Sequence, residues 1–365
     1  MLPDSQKKPN PLERFKSWIQ KHPARAYAIG AVGLVIAGSL TTAAILWQKP
    51  EPKKVTATKS QKIVEKPKTI YYSPLTGEPV SDQGATTKAV TAIMLENSPD
   101  ARPQSGLKDA EIVYEAVAEG GITRFLALYQ QHQPEVIGPV RSIRMYYVDW
   151  LTPYNASVAH VGGSAAALQL VRNGGYRDID QFFNASYYRR ASDRYAPHNV
   201  YTSFSKLSEL NSAKGYNSSE PKPFDRADDE KDPVQDGTAV DLKISGPLYN
   251  SSYKYDASSK MYSRSQAGAP HLDREAGQIQ AKVVIALRVA MTRVMEDGYR
   301  ESITTTGSGE AMIFQNGHAN KVTWYKDSRE AQLRFVDGAG APFKLARGTT
   351  WISAIPTSNG NVTWQ

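Results

Sequence analysis

The 365-residue chain contains no cysteine. That absence removes structural disulfides, thiolate zinc sites and a cysteine nucleophile. It also removes lipid attachment through an N-terminal cysteine. Close spacing of metal ligands is missing too: His132, His160, His198, His271 and His318 are scattered, no metal motif stands out, and no cofactor is expected. Most of the chain also lacks excess positive charge. Residues 1–70 hold 13 Lys and Arg against 4 Asp and Glu, whereas residues 71–365 hold 31 against 32. The formal charge of +8 therefore belongs to the N-terminal end. A near-neutral remainder argues against a nucleic-acid partner.

What is present first is one long uncharged run. Residues 1–26 form a basic tail in which Leu12, Phe15 and Ile19 share helical spacing, the pattern of a short amphipathic helix. Residues 27–47 carry no charge, and 21 residues at about 1.5 Å each match the hydrocarbon thickness of a bilayer. Tyr27 and Trp47 sit at its ends, where interfacial aromatics belong. We read it as an uncleaved single-pass transmembrane helix. Basic residues flank both ends equally, so charge alone does not orient it. The large C-terminal part is placed outside the cytoplasm because long domains translocate largely regardless of charge. Residues 48–71 are rich in Lys, Pro and Thr and read as an extended tether.

The remainder predicts an α/β N-terminal domain at 72–215, a connecting loop at 216–239 and a β-rich (α+β) C-terminal domain at 240–365. Strands are expected at Ala89–Leu95, Glu111–Ala118, Phe125–Gln131 and Ser157–Val161. Helices are expected over Ile143–Leu151, with Ser142 as N-cap, and from Ser164 to about Arg172. In the second half, Lys282–Val289 and Thr350–Ile355 read as strands. Asn316-Gly317 signals a hairpin whose second arm begins at Lys321, after a few extra polar residues. An antiparallel sheet packed on the first domain is the expectation.

Several separated motifs carry a resemblance: A-R-P-Q-S-G-L at 101–107, E-I-V-Y-E at 111–115, E-G-G-I-T-R-F at 119–125, G-P-V-R-S-I-R at 138–144, H-V-G-G-S at 160–164 and A-P-H-N-V-Y-T at 196–202. In this order they resemble the YerB-like family, over roughly Tyr72 to Pro356. The resemblance implies a two-part extracytoplasmic domain of a bacterial cell-envelope protein. It brings no catalytic residues to transfer. Many relatives are lipoproteins held by a cysteine; here the transmembrane helix would replace that anchor.

Between Asn97 and His198 stand nine arginines and one lysine. Arginine offers a planar fork for carboxylate or phosphate. Arg102, Arg124, Arg141 and Arg144 lie in or beside turns and could converge on an anionic or glycan ligand of the wall, or on an envelope protein partner. Ten acidic residues in the same stretch, joined by the neighbouring Glu96, offer internal partners equally well. Gly162, Gly163 and Ser164, between a strand and a helix, would present backbone donors to an anion, with His160 and His198 orienting it. In isolation the same residues read as a tight turn capped by Ser164. An alternative is an envelope hydrolase acting on a glycan, ester or amide bond. It would use Ser164, Asp193 and His198, or paired acids such as Glu96 and Glu119. A structural scaffold with every arginine internally paired is the third reading.

Overall fold

The computed structural model describes residues 10–25, 69–229, 234–293 and 300–365. The span expected at 27–47 and most of the tether lie outside the described residues. Among the described ones, no helix is long and apolar enough to cross a membrane. The chain divides into two units, Met1–Pro67 and Lys68–Gln365. In the first, α1 (Pro11–Lys21) is the expected amphipathic helix, and it buries none of its residues.

The second unit is built on one mixed sheet. Its N-terminal half supplies β1 (Thr91–Glu96), β2 (Ile112–Glu119), β3 (Ile122–Tyr129), helix α2 (Met145–Leu151), β4 (Ser157–Ala159), helix α3 (Ala165–Asn173), β5 (Arg177–Asp178) and helix α4 (Phe204–Ala213). Its C-terminal half supplies β6 (Ala239–Lys243), β7 (Ser251–Asp256), β8 (Met261–Gln266), β9 (Val283–Val289), β10 (Glu301–Ile303), β11 (Gly307–Gln315), β12 (His318–Lys326), β13 (Arg334–Val336), β14 (Thr350–Pro356) and β15 (Asn361–Trp364).

Ten strands form the central sheet in the order β13-β12-β11-β9-β14-β2-β3-β1-β4-β5. Strand β14 is the seam. It runs parallel to β9 on one side and to β2 on the other, and all seven of its residues are buried. The C-terminal half therefore continues the N-terminal sheet as well as packing on it. A strand buried on both faces reads as a mostly apolar run without alternation, as T-W-I-S-A-I-P does, interrupted by Thr350 and Ser353.

Alternation sends one set of side chains to each face. Met94, Tyr114, Leu126, Ile285 and Ile352 pack with Tyr147, Trp150 and Leu151 of α2 and with Ala167 and Val171 of α3. Leu95, Val113, Phe125, Val284 and Trp351 pack with Phe204 and Leu207 of α4 and with Val240, Leu242, Tyr253 and Tyr262. The last four belong to the smaller antiparallel sheet, in which β8, β7, β6 and β15 are successive neighbours.

Three local expectations change. Helix α2 begins at Met145, with Arg144 rather than Ser142 at the N-cap. The reason is that Ile143 is pinned beside Gly163 and Arg144 is extended. Ser164 is the N-cap of α3 by position, but its side chain makes no capping bond. At Asn316-Gly317 the hairpin is tight: both residues have positive φ, 55° and 79°, and Gln315 pairs directly with His318. The second arm therefore starts at His318, without extra loop residues. Helix α4 was not anticipated; Ser203 caps it by accepting from the Lys206 N–H at 3.2 Å.

The connecting segment is not a free linker. Arg226 donates to the carbonyls of Ala346 (2.7 Å) and Leu75 (2.6 Å) and to the Thr350 hydroxyl (2.9 Å). Burial of this guanidinium pulls its pKa down to about 10.

Candidate functional site

The candidate residues gather in several small clusters, most of them where β1, β2 and β4 end. Glu96, the last residue of β1, faces Arg124 across the ladder. A register shift between Val117 and Glu119 re-aims the end of β2. Gly120 and Gly121, both with positive φ, then turn the chain into β3. The segment Val140–Arg144 is stitched between β1 and the turn after β4. Arg141 N–H donates to Met94 O at 2.9 Å, and Ile143 N–H donates to Gly162 O at 3.0 Å.

Arg124 and Arg144 meet on Glu119. Arg124 Nη2 lies 2.8 Å from Oε1, and Arg144 Nη2 lies 2.7 Å from Oε2. Arg124 Nη1 reaches the Ser142 carbonyl (2.9 Å) and Arg144 Nη1 the Ile143 carbonyl (2.8 Å), while Arg124 Nε is buried without a hydrogen bond. Burial alone would raise the Glu119 carboxyl, but the two guanidiniums outweigh it and hold it below the usual range. Burial, and then the neighbouring Arg124, lower Arg144. Two cations thus share one anion, which leaves an excess positive charge.

Beside this trio opens a cleft of about 390 Å³, lined by Arg144, Tyr146, Asp149, the α3 start Ser164–Ala166, and Arg300 to Ile303. The N–H groups of a helix start have no intrahelical acceptors and carry the positive end of the dipole. Opposite charge is present as well. Asp149 is held by Arg329 at 2.6 Å and by Thr305, and the Glu301 carboxyl is raised by burial.

A second cluster forms on Glu96, which is buried. Its Oε1 accepts from Ser98 Oγ (3.0 Å) and His198 Nδ1 (2.9 Å). Arg141 Nε stands 3.3 Å away, at ion-pair distance but without hydrogen-bond alignment. The other carboxylate oxygen is buried without a hydrogen bond. His198 Nε2 lies 4.0 Å from the exposed Asp100.

The remaining candidates are absorbed into the fold. His160 is buried, with Nδ1 donating to Gly162 O at 2.8 Å and Nε2 facing Asp178 at 3.1 Å. Gly162 N–H reaches an anion, but it is the protein's own Asp180 carboxylate at 3.4 Å, which also takes Arg172 at 2.7 Å. Gly163 is required by space: a Cβ would come within 2.8 Å of Ile143 Cγ2 and 3.0 Å of its carbonyl. Among the described residues, Arg102 meets no carboxylate. It donates to Asn97 Oδ1 (3.1 Å) and to the carbonyls of Asn97 and Leu248 (both 2.8 Å). The Ser164, Asp193, His198 triad does not assemble: Asp193 pairs with Arg274 at 2.6 Å, and His198 bonds Glu96. Glu96 and Glu119 each face cations rather than one another. Among the described residues, no three His, Asp or Glu stand close enough to hold a metal ion.

The family profile described as "Protein of unknown function (DUF3048) N-terminal domain" matches residues 75–217, and the corresponding C-terminal domain matches 240–352. "Putative lipoprotein YerB" of Bacillus subtilis (strain 168) is 33% identical over 288 residues, 78% of this chain and 86% of that protein. The chain belongs to the YerB-like family. The crystal structure of the YerB protein from Bacillus subtilis has the same fold, with a TM-score of 0.72 at 29% identity over 80% of this chain and 99% of that one. The two profiles leave residues 218–239 between them, and both matched stretches contribute strands to the central sheet.

Sequence reasoning about the family motifs missed a fully buried ion pair. Arg264 of β8 and Glu115 of β2 pair at 2.8 Å with both side chains fully buried. The signal was available: Arg264 occupies an inward position of an alternating strand, flanked by outward Ser263 and Ser265. Ser98 beside His198, and Arg300 and Glu301 along the cleft, were also overlooked.

Proposed function

We propose that this chain is a membrane-anchored protein of the bacterial cell envelope, its body outside the cytoplasm. In this reading the body binds a wall-derived ligand in the cleft at the start of α3. The location draws on the relative's name, a lipoprotein, and on the uncharged run at 27–47, which would take the place of a lipidated cysteine. The binding reading rests on one observation: Arg144, one of two guanidiniums that share the single carboxylate of Glu119, lines a cleft that also holds a helix N-terminus. The excess charge on the trio suits an anionic group. Glu301 and Asp149, on the same lining, suit hydroxyl or amino donors. A glycan or peptide fragment of the wall carries both.

The test adds charge without removing packing. Ala166 is exposed in the first turn of α3, where an acidic side chain favours the helix. Ala166→Glu should keep the urea midpoint and weaken binding of solubilised wall fragments by about tenfold, the order expected for one opposing charge in a partly buried site. Equal binding by both proteins, or binding by neither, refutes the cleft.

A second reading has one observation in its favour. Buried Glu96 orients His198 through Nδ1 and leaves Nε2 toward the surface, the arrangement of an oriented acid–base histidine. Both Glu96 and Ser98 lie on the same ring nitrogen, so Ser98 is not placed as a nucleophile activated by Nε2. Turnover of a glycan, ester or amide substrate lost in His198→Gln would favour it. The scaffold reading draws on the internal partners of Arg102, Arg124, Arg141 and Arg144. The open cleft is what it leaves unexplained.

A further inference from the structure

Helix α1 is specified locally, and none of its residues is buried. Asn10 caps it by accepting the Leu12 N–H at 3.2 Å, proline opens it, Glu13 lies in its first turn and Lys21 in its last. These features favour the helix by its dipole and its termini. Yet an isolated helix of this length is marginal in water.

Its side chains are sorted. At about 100° per residue, Trp18, Phe15, Ile19 and Leu12 fall within an arc of about 120°. Leu12 is 66% exposed and Phe15 60%, and Trp18 and Ile19 are exposed too. Lys16 borders one edge of this stripe; Arg14 and Lys21 border the other. Glu13, Ser17 and Gln20 occupy the back. Long basic side chains at the rim of an apolar stripe can lay their stems along it and lift their charges to phosphate level. Residues 1–26 carry six basic side chains against two acidic ones.

The uncharged run begins at Tyr27, six residues after the helix ends. Six residues extend at most about 20 Å, so a bilayer crossed by 27–47 lies within reach of α1. We infer that α1 lies flat in the headgroup region of an anionic bilayer, its Leu12, Phe15, Trp18 and Ile19 stripe facing the acyl chains. The partner is the lipid surface itself, recognised by apolar burial and by anionic headgroups. The inference rests on the reading that 27–47 spans the membrane.

The absence of cysteine makes the test clean, because one introduced cysteine takes a spin label at a unique site. Full-length protein with Leu12→Cys, Ser17→Cys, Ile19→Cys or Gln20→Cys is reconstituted in vesicles with and without phosphatidylglycerol. Collisions with oxygen and with a water-soluble nickel chelate are then compared. Labels at 12 and 19 should favour oxygen over the chelate by about threefold or more relative to labels at 17 and 20. The contrast should shrink in pure phosphatidylcholine. It should also collapse for the Ser17 and Ile19 labels when Phe15→Glu is added. A uniform ratio at all four positions overturns the inference. So does spin–spin broadening confined to 12 and 19, which would mean that a second copy covers the stripe. Alkaline extraction of the same vesicles reads the span separately: protein retained in the pellet with no contrast refutes the docked helix alone, and protein released refutes both.

Discussion

Replacing Arg264 by methionine tests what ties the smaller sheet to the central one. The guanidinium donates to Glu115 at 2.8 Å, to the Tyr253 hydroxyl at 3.1 Å and to Gln266 at 3.0 Å, and it lies 4.5 Å from the centre of the Trp351 ring. Methionine keeps most of the stem volume and removes the charge. Removing one partner of a buried pair costs about 3–5 kcal/mol. One feature places this case at the low end: Glu115 keeps the Trp351 indole N–H at 3.1 Å and the Thr123 hydroxyl at 3.1 Å. We expect a loss of about 3 kcal/mol. For the body, residues 68–365, that is about 1 M in the urea midpoint if the slope is about 3 kcal/mol per M. Tryptophan fluorescence during urea unfolding reads it. Adding Glu115→Gln should recover at least half of the loss, because the stranded charge is gone. A single variant within about 0.5 kcal/mol of the parent, or a double variant whose losses merely add, refutes the argument.

Two further outcomes follow from the same network and from the trio on Glu119. Burial, and then Arg264 and Arg102, push His271 well below its ordinary pKa, so the folded state keeps it neutral while the unfolded chain takes up a proton below about pH 6.5. Its contribution is therefore present above that pH and declines below it, by about 1.4 kcal/mol at pH 5.5. Urea midpoints at pH 7.0 and 5.5 should converge in His271→Gln, and an unchanged difference counts against the neutral assignment. Glu119 is shifted down, so its contribution is present above its unfolded pKa and is lost as pH falls through the folded one. Glu119→Gln should flatten the acid limb below about pH 4.5; an acid limb like the parent's would sink this.

The apolar skeleton was legible in the sequence because burial imposes period on it. Thr91–Glu96, Val283–Val289 and Thr350–Pro356 lie within a residue or two of their expected limits. The partner of each strand was not legible. Nothing in T-W-I-S-A-I-P says that it sits between β9 and β2, since a strand buried on both faces carries no directional pattern. Helix α4 was hidden for another reason: F-S-K-L-S-E-L-N-S-A is short and serine-rich, and Ser203 provides its only clear start signal.

The arginines show where the limit lies for a site. Their positions in or beside turns could be read from Gly, Pro and the strand ends, although Arg124 lies within β3. Whether a fork meets a ligand or a neighbour depends on one carboxylate at a distance the sequence does not encode. Arg124 and Arg144 converge on Glu119 just past the irregularity between Val117 and Glu119, a feature the sequence does not announce. Asp180 likewise fills the glycine turn meant for an anion, because the chain after β5 returns beneath it. The same chemistry that would recognise a ligand has been satisfied from within at Gly162 and Arg102. At Glu119 it is satisfied one charge short, and the proposed binding reading rests on that difference.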